Sequence, residues 1–286
     1  VITQVAIPAG LAVIMFAMGL TLTWGDFRLV FNRPRAVAVG LLCKMVVLPL
    51  LAFALVALFR PRPEFAVGLI ILAACPGGIT ANLLTHLAGG ATALAVSLTA
   101  FTSVVDTITV PFVVNLALHV FAGQQEAVAL PIGRMSAGLF AVATLPLLLG
   151  MALNRWRPVL AARIERVARP LATLVFALIV VGAFVSQARI MWDNAAEVLP
   201  PALLLNAGCM VVAVLLGRLG GLEQRETIAV TLETGLQNGA LGIFVAATLL
   251  GSQAMMVPSI VYALVMNVTA IAFILLVRRV RACATL

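Results

Sequence analysis

Leu232-Glu233-Thr234-Gly235-Leu236-Gln237-Asn238-Gly239 interrupts an otherwise apolar run from Thr227 to Leu250. A carboxylate, two carboxamides and two glycines sit where a membrane-crossing helix is ordinarily apolar throughout. An ionisable group at bilayer depth costs at least about 2.5–3.5 kcal/mol on insertion scales, so it marks a place where the chain uses the charge. The glycines weaken the helix there, and freed backbone groups are tolerated at such depth only inside protein or along a cavity. A simple glycine kink with a paired carboxylate is the alternative; the rest of the chain decides between the two.

Of the 286 residues 63% are hydrophobic and only 10% are charged, against roughly 25% charged in soluble domains. The composition identifies an all-α polytopic membrane protein. The net charge of +8 comes from seventeen arginines and one lysine. Those arginines gather between apolar runs, where orientation signals belong, so nucleic acid is excluded as a partner. The four cysteines (Cys43, Cys75, Cys209, Cys283) have no metal-ligand spacing and read as small apolar side chains. His86 and His119, near span ends, likewise read as interfacial, and no metal or cofactor beyond a coupling ion is expected. The chain opens at Val1 with no basic leader, which reads as a trimmed or processed start.

Nine runs approach the roughly 20 residues that span a hydrocarbon core. They fall near 2–23, 36–59, 65–88, 92–122, 132–153, 171–185, 200–216, 227–250 and 257–277, and strand-type alternation is absent. Thirteen arginines lie in the loops after odd-numbered spans and in the C-terminal tail, Arg28, Arg33, Arg155, Arg169, Arg218 and Arg278 among them. The other face holds Arg60, Arg62, Arg134 and Arg189. The positive-inside rule then puts the C-terminus in the cytoplasm and the N-terminus outside, in a bacterial inner membrane.

Span 3 carries a second interruption, Cys75-Pro76-Gly77-Gly78 followed by Ile79-Thr80-Ala81-Asn82. Proline lacks a donor and clashes with the preceding turn, and paired glycines relax the backbone. The two breaks lie five spans apart and so run in opposite directions. Each ends in an asparagine (Asn82, Asn238), and each has a landmark 29 residues on, Pro111 and Asn267. That is the pattern of an inverted repeat with two discontinuous, crossing helices in spans 3 and 8.

Lys44, Asp106 and Glu233 lie at membrane depth, and each needs a partner. A Lys44–Glu233 pair is the most economical arrangement, with snorkelling of Lys44 as the alternative. Asp106 reads as structural, bonded to Thr102, Ser103 or Thr109.

At these residues the chain resembles the bile acid:sodium symporter (BASS) family. The resemblance is carried by Met15-Phe16-Ala17-Met18-Gly19-Leu20-Thr21-Leu22, by Cys75-Pro76-Gly77-Gly78 through Asn82, and by Glu233-Thr234-Gly235-Leu236-Gln237-Asn238. Its spacing covers essentially the whole chain, in a nine-span form. The resemblance implies one transporter unit over 1–286, with a panel of spans 1, 5 and 6 (about 2–23, 132–153, 171–185) and a core of spans 2–4 and 7–9 (about 36–122, 200–277). It implies one sodium position at Asn82, Thr99 and Glu233. A second would use Glu233, carbonyls near Thr234 and Leu236, Gln237 and a glutamine on span 2. Substrate is implied near Ile79, Thr80, Asn238 and Asn267. This chain departs from the pattern at Ala81 and Ala95, which replace hydroxyls, and at Lys44, which replaces the span 2 glutamine. An ammonium at a cation position argues against a mobile ion there.

The resulting expectation is a secondary transporter, not an enzyme, moving an organic anion (bile-acid-like, pantoate-like or keto-acid-like) by alternating access. Its partners are that anion and the lipid bilayer, and its oligomeric state is left open. Sodium symport is the family mode. A sodium-independent or proton-coupled carrier is the alternative here, with Lys44 replacing a coupling ion, and an arsenite-type permease is a further one, suggested by Cys75. No nucleophile–base or metal-ligand motif supports an intramembrane enzyme, and midplane breaks in both halves argue against a passive channel.

Overall fold

The computed structural model describes residues 2–26, 33–122 and 131–284, with only the backbone described at 2, 3, 79, 122 and 281–284. Long apolar runs leave the backbone no partner but itself, and all regular structure among these residues is helical. The helices are α1 (Ile7–Thr21, led by a π-helical turn), α2 (Pro34–Phe59), α3 (Pro63–Ala74), α4 (Ile79–Leu87), α5 (Thr92–Ala117) and α6 (Ile132–Trp156). There follow α7 (Pro158–Asp193), α8 (Ala195–Leu219), α9 (Gln224–Gly235), α10 (Gly239–Phe244, continued by a π-helical turn) and α11 (Val257–Ala284). Seven of them, α1, α2, α5, α6, α7, α8 and α11, are long and apolar enough to cross a membrane; α3 and α10 are shorter apolar pieces.

Proline opens α2, α3 and α7, where its missing donor costs nothing. Inside α2 and α6, Pro49 and Pro146 each follow a π-helical turn, Leu42–Val47 and Phe140–Thr144. The wider turn absorbs the lost hydrogen bond without ending the helix. Lys44 lies on the first of these turns.

One boundary needs correction. The sixth span was expected at 171–185 after an arginine-rich loop, yet α7 runs without interruption from Pro158 to Asp193 and carries Arg163, Arg166 and Arg169. Hydropathy marks the depth of lipid, not the extent of helix. Pro158 starts α7, a Glu165–Arg169 contact of 3.6 Å lies along its face, and Pro170 is accommodated within it.

α1 packs against α6 and α7, and α6 against α7. Small residues permit the closest approach: a Cβ on Gly19 would lie 2.1 Å from the Leu147 carbonyl oxygen, and one on Gly150 2.5 Å from that of Phe16. The remaining helices pack around α3, α5, α9 and α11.

Polar contacts sort the helix ends onto two faces. Arg33, before α2, reaches Glu223 and Glu226 at the start of α9; the Ala91 amide, before α5, donates to the Arg225 carbonyl; Arg278 of α11 donates to the Leu87 carbonyl at the end of α4. On the other face Arg62, before α3, contacts Glu197 and Asn194 at the start of α8. Arg28 lies outside the described residues.

Candidate functional site

The two interruptions meet. α3 ends at Ala74 and α9 at Gly235, and the extended segments after them pair antiparallel through Gly77 and Gln237. The Asn238 amide donates to the Pro76 carbonyl at 2.9 Å, and the Gly78 amide to the Leu236 carbonyl at 3.2 Å. Proline suits this position because the pairing asks Pro76 only for an acceptor. Gly77 is needed for another reason: a Cβ there would lie 1.9 Å from Glu233 Oε1. Asn238 caps α10, its side-chain oxygen accepting from the Leu241 amide at 3.1 Å while its nitrogen faces Met15 Sδ at 3.6 Å.

A helix end deep in protein must satisfy its last carbonyls. For α9 every one from Leu232 to Leu236 has a donor. Leu232 accepts from the Leu236 amide, and Thr234 from Gln237 Nε2 at 2.7 Å and from the Cys209 thiol. Gly235 accepts from Asn206 Nδ2 at 2.7 Å and from the Tyr262 hydroxyl at 3.0 Å, and Leu236 from the Gly78 amide. Glu233 accepts from Lys44 Nζ at 3.0 Å.

Lys44 is 4% exposed, so it does not snorkel. The anticipated pairing with the Glu233 carboxylate is replaced by contacts to the Glu233 main-chain oxygen and to Gln237 Oε1, the latter 2.6 Å away. Among the described residues no ion pair joins Lys44 to a carboxylate. The physical reason is the helix end itself. Its partial negative charge and freed carbonyl attract the ammonium, while the carboxylate lies against Gly77 and Thr99.

The Thr99 hydroxyl lies 2.8 Å from Glu233 Oε1 and 3.0 Å from the Ala95 carbonyl. Glu233 Oε2 and Asn82 Oδ1 are both buried without a hydrogen-bond partner. Buried acceptors without donors are rare, and carboxylate, amide and hydroxyl oxygens are ligands of hard cations; of the three, Thr99 and Glu233 lie at hydrogen-bond distance from each other. Ala81 and Ala95 are buried and add no side-chain oxygen. Asp106 is held by the Thr109 hydroxyl at 3.0 Å. It shares a cavity of about 290 Å³ with Lys44, Cys75 and Thr109.

Two separate spaces lie beside α1 and α7. One, at the paired breaks, is about 40 Å³ and is lined by Ile14, Gly78, Thr80, Phe176, Gln237 and Asn238. The other, of about 280 Å³, lies beside Met18, Asn82, His86, Val96 and Arg169. Thr80 and Asn238 line the smaller space; the side chain of Ile79 lies outside the described residues. Asn267 lines neither space, and its amide donates to the Ala263 carbonyl of its own helix at 2.7 Å.

Several residues here carry little sequence signal. Asn206 and Tyr262 are single polar groups in long apolar spans, and nothing in their spacing points to the Gly235 carbonyl. Arg169 reads as an orientation charge until α7 brings it to the larger space.

The family model described as the sodium bile acid symporter family matches residues 8–194. The chain is 30% identical over 249 residues to a chloroplastic protein of Arabidopsis thaliana described as a probable sodium/metabolite cotransporter, covering 87% of this chain and 61% of that one. It is 29% identical over 238 residues to a Bacillus subtilis (strain 168) protein described as an uncharacterized sodium-dependent transporter, covering 82% and 72%. Against the human ileal sodium/bile acid cotransporter it is 27% identical over 232 residues, covering 81% and 66%. The chain spans about six-tenths of the length of the plant relatives it matches.

Proposed function

Because the chain belongs to the sodium bile acid symporter family, we propose that it is a secondary transporter that moves a small organic anion across a membrane by alternating access. In this reading α3–α4 and α9–α10 each form one discontinuous span, giving nine spans in an inverted repeat whose broken helices cross. α1, α6 and α7 form the panel, and the other helices form the core that rocks against it. The arginine-rich face is cytoplasmic, and the membrane is a bacterial inner membrane.

The observation that carries the proposal is the pair of spaces beside α1 and α7, one at the paired breaks and one at Arg169. Their walls, Ile14 and Phe176 in the smaller and Met18 and Val96 in the larger, are apolar, while Thr80, Asn82, Asn238 and the start of α4 supply polar groups. A helix N-terminus favours an anion, and Arg169, beside the larger space and 3.6 Å from Glu165, adds a second, partly offset attraction. The space of about 280 Å³ sits at the lower edge of ordinary ligand sites, roughly 300–1,000 Å³. That favours a small organic acid, of pantoate or keto-acid size, over a steroid. Asn82, Thr99 and Glu233 would hold one coupling sodium, whose positive charge would neutralise the buried carboxylate and the arriving anion.

Counterflow in proteoliposomes tests this. Liposomes preloaded with one member of a panel of small organic acids are expected to accumulate the labelled form of that acid transiently and saturably. Flux that rises linearly with concentration and shows no counterflow for any acid in the panel would overturn the carrier reading.

A further inference from the structure

The end of α9 is built like a cation site and is already filled. Backbone carbonyls at a helix C-terminus, joined by an amide oxygen, form a concentrated patch of partial negative charge. Lys44 Nζ sits in that patch, 2.6 Å from Gln237 Oε1 and 3.0 Å from the Glu233 carbonyl. The other carbonyls of the turn are occupied by Gln237 Nε2, Cys209, Asn206, Tyr262 and Gly78. No carbonyl from Leu232 to Leu236 is left without a protein donor.

We infer that Lys44 is a tethered cation that permanently occupies the second of two cation positions, so that the protein binds no more than one mobile sodium ion. The inference rests on the carrier reading for its consequence, one fewer sodium moved per cycle, but the site itself is a property of the folded chain. Three observations support it. An ammonium carries the charge of the ion it replaces, and its donors satisfy the same oxygens. Its stem is anchored on the π-helical turn Leu42–Val47, in a buried setting, so it cannot leave with the substrate. A second mobile cation on these oxygens would meet an unscreened like charge at contact distance. Glu233 Oε2 and Asn82 Oδ1, buried without a hydrogen-bond partner, are not among the oxygens that Lys44 contacts.

Binding of radioactive sodium to the purified, full-length protein in detergent counts the sites directly and needs no substrate. The wild type is expected to bind at most one sodium per chain; two would overturn the inference. Lys44→Gln restores a neutral amide oxygen and is expected to gain one sodium per chain over wild type, with a larger sodium-dependent rise in Tm. Lys44→Met removes the charge but supplies no hard ligand, and is expected to gain neither. An unchanged count in folded Lys44→Gln would also overturn it. Should Lys44→Gln fail to fold, the wild-type count still decides. A protein that passes the binding test but shows no counterflow would sink the carrier reading alone.

Discussion

The α9–α10 interruption lies wholly inside the protein, every residue from 226 to 247 being buried, whereas α4 turns Leu83, His86 and Leu87 outward and leaves Asn82 Oδ1 without a partner. The same antiparallel bridge joins the two breaks, yet they use their polar groups differently. Around α9 each freed carbonyl meets a donor from α2, α4's leading segment, α8 or α11, so that end is cross-linked to much of the bundle. α4 instead offers acceptors to the larger space. One break is thus a buried, fully paired anchor, and the other leaves polar groups facing an open space.

The largest expected effect comes from forcing the two breaks apart. In Gly77→Ala the added Cβ would fall 1.9 Å from Glu233 Oε1, whereas in Gly78→Ala the nearest atom is the Gln237 carbonyl oxygen at 3.1 Å. Overpacking of this kind costs about 1–3 kcal/mol or more, and the displaced carboxylate should also lose Thr99. Gly77→Ala is therefore expected to lower Tm and to abolish sodium-dependent stabilisation, with Gly78→Ala markedly milder. Equal behaviour of the two in a sodium-versus-choline melting series would mean that close approach to Glu233 is not what Gly77 provides.

A smaller effect probes the anchor. Asn206 and Tyr262 both donate to the Gly235 carbonyl, so either one alone leaves it satisfied. Asn206→Leu and Tyr262→Phe should each cost about 1 kcal/mol, while the double variant, which strips both donors, should exceed the sum by about 1–3 kcal/mol. The measurement is a double-mutant cycle on unfolding in detergent. Simple additivity would show that the α9 end does not depend on complete pairing.

Much of this was legible before any coordinates. Apolar runs locate the helices because lipid demands them, and Pro76 with Gly77 and Gly78 announces a break because no helix interior accepts that triplet. The direction of the Lys44 side chain was not legible. A sequence places Lys44 and Glu233 at similar depth, but whether an ammonium meets a side-chain or a main-chain oxygen depends on how one turn of α9 ends and on where Gly77 lets the carboxylate go. The length of α7 escaped for a related reason: beyond the lipid, a helix persists on capping and local pairs that hydropathy does not record. Asn206 and Tyr262 were invisible because their partner is a backbone carbonyl, which every residue has.

The smallest expected effect falls on α4, and its sign sharpens the contrast. Asn82 Oδ1 makes no hydrogen bond within the protein, so losing it removes no donor's partner and relieves a buried acceptor of its desolvation cost. Asn82→Leu is expected to change stability in choline by less than about 0.5 kcal/mol, or to raise it. In sodium the same variant should lose the stabilisation that the wild type gains, because the ion supplies the partner that the protein does not. A group held for a ligand is thus recognised by being dispensable without that ligand and necessary with it. A loss in choline as large as that of Asn206→Leu would place Asn82 with the anchor, and the two interruptions would then differ in exposure but not in role.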